Sequence, residues 1–147
     1  MTRALLDLAD ALGLTIEYYP LARRNGEYRH DLRRIRLRDG MTIRQERSTL
    51  AHELAHAVFA DVPSPYGPVT AKQERRADEW AALRLITTDA YRAAEERWNG
   101  HLGAIAYDLA VTSRLVKAYQ GLLLRLGPAT YVEPRMGAGQ WQERILA

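Results

Sequence analysis

His52-Glu53-Leu54-Ala55-His56 is the stretch that decides how this chain is read. The two histidines stand four positions apart, so on a helix they lie one turn apart on one face, where their imidazoles can share a tetrahedral metal ion. Glu53 sits about 100° round the same helix, able to act on a metal-bound water without being a ligand. This is the HExxH spacing of zinc peptidases, in which the histidines hold Zn²⁺ and the glutamate is the general base. The flanks support a helix. Thr42 followed by Gln45 is a capping-box signature, which predicts a helix over residues 43–60 with Leu50, Leu54, Ala57 and Val58 as its apolar stripe. His52 and His56 point away from that stripe, with Phe59 near them.

Outward from this segment, the pattern is that of a small α+β protein. Ala4, Leu5, Leu8, Ala9 and Leu12 recur at helical spacing before Gly13, predicting a helix over 2–12. Leu14, Ile16 and Tyr18 alternate with polar neighbours as a half-buried strand does. Gly26–His30 is a weaker strand candidate, and Arg34–Arg38 alternates strictly with Ile35 and Leu37 inward. Together they predict a small antiparallel sheet near the N-terminus with an arginine-studded outer face. A loop of three prolines and a glycine over 61–68 leads to a second long helix that follows Thr70 and runs to about Ile86, with Thr70 and Gln73 read as its capping box. Shorter helices are expected over 89–98 (capped by Thr88), 102–109 and 113–125. An irregular tail, with at most a helical turn at 141–145, should follow.

The 147 residues suit one domain with a real core. Cysteine is absent, which excludes disulfides, thiolate metal sites and cysteine nucleophiles, so a metal must rest on histidine and carboxylate. No apolar run is long enough to span a membrane, and Met1-Thr2-Arg3 does not open a signal-peptide core; the expectation is a cytoplasmic protein with no membrane partner. Nine of the 19 arginines fall between Arg23 and Arg47. Glu27, Asp31, Asp39 and Glu46 are interspersed with them, which favours a solvated, ion-paired face over a nucleic-acid arm.

Two imidazoles leave a ligand position to fill. A histidine-completed site would place glycine and histidine where Phe59 and Val62 stand, so that class is excluded. A carboxylate from the following helix remains. Glu74 and Asp78 project from the same side as Ala77, Ala81, Ala82 and Leu85, and buried carboxylates there need a positive partner. Glu74 is well placed as third ligand, and Asp78 one turn later could orient a ligand histidine through its free ring nitrogen. Tyr66, Tyr91 and His101 are candidates for a second oxyanion donor.

The string Ser48-Thr49-Leu50-Ala51-His52-Glu53-Leu54-Ala55-His56, followed by Glu74-Arg75-Arg76-Ala77-Asp78-Glu79-Trp80-Ala81-Ala82-Leu83, resembles the ImmA/IrrE family of metallopeptidases. The likeness covers roughly residues 4–125. It implies a mainly helical, zincin-like metallopeptidase domain over 1–100, with Zn²⁺ on His52, His56 and Glu74, Glu53 catalytic and Asp78 behind a ligand histidine. The choice of Glu74 over Asp78 rests on its longer reach and on this resemblance. The resemblance also implies a protein substrate, a helix-turn-helix transcriptional repressor. Leu85-Ile86-Thr87-Thr88 departs from the Leu-Leu-Met-Pro usual there.

A competing reading comes from residues 101–127, a helical pair in which Ala106, Ala110, Val111-Thr112 and Val116 fall where a helix-turn-helix places its small, turn, cap and core residues. On that reading the chain is a DNA-binding or partner-binding regulator with a vestigial peptidase site. Arg114 and Lys117 are few phosphate partners for such a role, so packing on the catalytic domain or substrate docking is favoured and nucleic acid is not. Residues 128–147 are read as the tail.

Overall fold

The computed structural model describes residues 2–126, 131–133 and 142–143, and the chain divides into two units, Met1–Ala81 and Ala82–Ala147. In the first unit, α1 (Thr2–Ala11) buries Leu5 and Ala9. It stops because Gly13 turns left-handed (φ +69°), letting Leu14 N–H reach Ala9 O at 2.9 Å and Gly13 N–H reach Asp10 O at 3.0 Å. β1 (Thr15–Tyr19), β2 (Gly26–Arg29) and β3 (Arg34–Arg38) follow, and then α2 (Ile43–Val58). The capping box of α2 forms as expected, with Gln45 N–H on Thr42 Oγ1 and Thr42 N–H on Gln45 Oε1.

The α+β reading holds, but the sheet is mixed rather than antiparallel. Its order is β1-β3-β2, with β1 parallel to β3 and β2 antiparallel to it. Alternation specifies which face a residue takes, not which way its strand runs. Here β3 turns back inside β2 and takes the place between its two neighbours. Ile35 and Leu37 are fully buried against α2, while Arg36 on the outer face is flanked in register by Glu17 and Glu27 (3.2 and 3.7 Å) and lies over the Tyr19 ring.

Helix α3 (Gly67–Leu85) starts four residues earlier than the capping signature suggested. Pro68 falls in the first turn, where no intrahelical N–H is required. Thr70 and Gln73 instead donate to the loop carbonyls of Ser64 and Val62. The first unit ends within this helix.

In the second unit, α4 (Thr88–Arg97) is capped by Thr87 rather than Thr88, and α5 (Leu102–Asp108) and α6 (Ser113–Leu126) form the expected helical pair. Ile105, Ala106, Val111, Leu115 and Val116 are buried, with Tyr91 beneath Tyr119 (ring centroids 5.2 Å apart) and held by Gln120 Nε2 at 3.0 Å. Ala110 adopts φ +55° in the tight turn between α5 and α6. Beyond residue 127, β4 (Tyr131–Glu133) pairs antiparallel with β5 (Gln142–Glu143); the rest of that segment lies outside the described residues, and the two described residues of 141–145 are extended, not helical. Among the described residues no helix is long and apolar enough to cross a membrane.

Candidate metal centre

All the acidic and imidazole groups that matter here belong to the first unit. Helix α2 presents His52 and His56 one turn apart, and their Nε2 atoms lie 3.1 Å from each other. Glu74, from α3, sets Oε2 at 3.0 Å from His52 Nε2 and Oε1 at 3.2 Å from His56 Nε2. Four ligands about 2.0–2.1 Å from a tetrahedral ion are about 3.3 Å apart, so these three donors are spaced as one metal's ligands would be. Both histidines are largely buried, whereas the Glu74 side chain is 43% exposed, so the cluster opens to solvent on that side.

The far nitrogens of both rings are committed to carboxylates. Asp78 Oδ1 stands 2.8 Å from His52 Nδ1, and Asp61 Oδ2 stands 2.8 Å from His56 Nδ1. A carboxylate only accepts, so each Nδ1 carries the hydrogen and each Nε2 turns its remaining valence toward the other and toward Glu74. Asp61 is buried and was not anticipated from the sequence. Its position follows from the end of α2. Ala60 turns left-handed (φ +53°), Ala60 N–H bonds Ala57 O, and Asp61 N–H folds back onto His56 O at 2.9 Å. Asp61 thus grips His56 twice, by its backbone and by its side chain.

The electrostatics match a site short of a cation. Burial disfavours a charged His52, but hydrogen bonds to Asp78 and Glu74 and the charge of Glu53 outweigh it and raise its pKa to about 9. His56 is also raised, burial being outweighed by Glu74, Asp61 and Glu53. Glu74 is held well below the carboxylate range by its hydrogen bonds to the two histidines. Burial pushes the Glu53 carboxyl up, against the lowering effect of both imidazoles. An ion in place of the protons would satisfy the same arrangement.

Glu53 is buried, and strand β2 explains why. A Cβ on Gly26 would stand 2.6 Å from Thr49 Cγ2, 3.1 Å from Glu53 Cγ and 3.2 Å from Glu53 Oε1. Glycine therefore lets the strand close directly over the glutamate. Of the three candidate oxyanion donors, Tyr91 is fully buried and bonded by Gln120, and His101 caps α5 by accepting from Ala104 N–H. Tyr66, in the first unit just before α3, is 63% exposed.

A family model, Peptidase_M78 (IrrE N-terminal-like domain), matches residues 9–117. The chain belongs to the ImmA/IrrE family of metallopeptidases. The match takes in α2, α3 and the His52, His56 and Glu74 cluster. Peptidase_M78 membership implies a metal and a protein substrate. Among curated proteins, none matches this chain.

Proposed function

We propose that the protein is a zinc-dependent endopeptidase acting on a helix-turn-helix transcriptional repressor in the cytoplasm. The observation that carries the peptidase reading is the convergence of His52 Nε2, His56 Nε2 and the Glu74 carboxylate within 3.0–3.2 Å, next to a buried glutamate. Two imidazoles and a carboxylate are the donor set of an open zinc site. Bound there, the ion would polarise a peptide carbonyl and make water acidic enough to attack it. The proton work falls to Glu53. There the Glu53 carboxylate would take a proton from the attacking water and hand it to the leaving nitrogen. Asp78 and Asp61 keep both histidines in the Nδ1–H form.

β2 is an outer strand of its sheet and lies against Glu53 through Gly26. An extended peptide pairing with its outer edge would bring its main chain past the glutamate. The repressor as substrate rests on what the resemblance to the ImmA/IrrE family implies, not on the geometry of the site. Incubating the zinc-loaded protein with a panel of helix-turn-helix repressors and with unrelated protein substrates tests both parts. Cleavage that stops in Glu53→Gln, with zinc retained, is expected; a Glu53→Gln protein that cuts normally refutes the mechanism.

A further inference from the structure

Asp61 has two oxygens, and the second is not idle. Oδ1 accepts an ion-paired hydrogen bond from Arg76, while Oδ2 holds His56. Arg76 is two residues past Glu74 on α3. Its guanidinium lies 4.1 Å from the centroid of the Phe59 ring, at the cap of α2, and its Nε has no hydrogen-bond partner among the described residues. Ring and carboxylate therefore hold the guanidinium from two sides. The helix that brings Glu74 to the cluster also clamps the group behind His56.

We propose that Arg76 is a positioning residue that acts through Asp61 to aim His56 Nε2 at the metal. The inference rests on the metal reading above. Three features favour positioning over a purely structural ion pair. The Arg76 side chain is 41% exposed, so solvent screens the pair on that side, and buried Asp61 keeps His56 and its turn as partners when Arg76 is removed. Asp61 is already fixed by its backbone bond to His56 O, so Arg76 is not needed to build the turn. What the turn leaves free is rotation of the Asp61 carboxylate about its side-chain bonds, and Arg76 with Phe59 removes that freedom. With Arg76 gone, the carboxylate can swing toward water and His56 loses the acceptor that selects its tautomer.

The test is zinc affinity of the full chain, by competition with a chromophoric chelator, alongside melting of each metal-free form. Direct partners of ligand histidines alter affinity about 10–100-fold; Arg76 is one bond further out, so Arg76→Ala should weaken zinc about tenfold. Its metal-free melting point should fall by no more than about 4 °C. Arg76→Lys, which keeps a cation facing Asp61, should recover most of the loss. Placed on Asp61→Asn, Arg76→Ala should cost nothing more, because the two act in series. The cobalt-substituted Arg76→Ala protein should show altered visible bands. Wild-type affinity in Arg76→Ala, or losses that add on the Asp61→Asn background, overturns the proposal. Should Arg76→Ala not fold, Phe59→Leu removes the platform instead and must weaken zinc in the same direction. A wild-type chain that binds no zinc refutes the metal reading itself, a separate outcome.

Discussion

Replacing Gly26 by alanine should separate the stability of the fold from the placement of Glu53, the proposed general base. The new methyl would stand 2.6 Å from Thr49 Cγ2 and 3.1 Å from Glu53 Cγ, where carbon atoms rest at about 3.5–4.0 Å. The first overlap is roughly 1 Å and falls on a β-branched residue in a helix, which has little freedom to rotate. Overpacking of this kind costs about 1–3 kcal/mol. The second overlap is about half an ångström and can be relieved by moving Glu53. A displacement of 1 Å in a catalytic group can cost about 100-fold, so half that should slow proteolysis about tenfold. Thr49→Ser deletes Cγ2 and leaves the hydroxyl. The double variant Gly26→Ala/Thr49→Ser should therefore regain most of the melting temperature while remaining about tenfold slow. Thermal melts and repressor-cleavage rates on the three proteins decide it. If the double variant recovers rate as well as stability, or Gly26→Ala alone is silent, Gly26 does not govern where Glu53 sits.

Four further outcomes are expected. Glu53→Gln should keep its zinc by metal analysis and lose about 10²–10⁴-fold in cleavage rate. Glu74→Ala should lose most zinc affinity and Asp78→Ala about 10–100-fold, read by chelator competition; the reverse ranking would exchange their roles. In the metal-free protein, His52 has a folded pKa near 9, above its unfolded value of 6.5, so its stabilising contribution is full below pH 6.5 and is lost as pH rises through 9. Zinc must displace that proton, so zinc affinity should rise over the same interval; titrating both between pH 6 and 9.5 should give slopes of opposite sign. Ala60→Gly, which relieves a left-handed alanine at the end of α2, should raise the melting temperature by an amount equivalent to at most about 1 kcal/mol, measured on the metal-free chain.

Much of this was legible in the residues. The Thr42–Gln45 box marked the start of α2, and the strict alternation of Arg34–Arg38 marked Ile35 and Leu37 as core. Glu74 and Asp78 stood out because carboxylates on an alanine-rich face need a partner. What escaped notice had physical reasons. Pro68 reads as a helix breaker, yet in a first turn it breaks nothing, so α3 began earlier than expected. The direction of β1 is carried by the path of the chain after Pro20, not by any side-chain pattern. Asp61 went unnoticed because the turn that returns it to His56 depends on a left-handed residue, and alanine, unlike the glycine that ends α1, gives no sign of one. Nothing in the sequence singled out Arg76.

The shortness of β2 bears on what such a protein could cut. Four residues extend about 13 Å, room for only a couple of main-chain hydrogen bonds with a visiting chain. So brief a template can tell an extended segment from a helix but can hardly distinguish one sequence from another. A target bond inside a folded element would have to open before it could be held there, and its rate of loss would follow that opening equilibrium. Each 1.4 kcal/mol that a target gained in local stability, from DNA or from a dimer partner, would lengthen its lifetime about tenfold. Selectivity would then reside in how readily the target frays, and a target held in a complex would be spared while a loosened one was consumed.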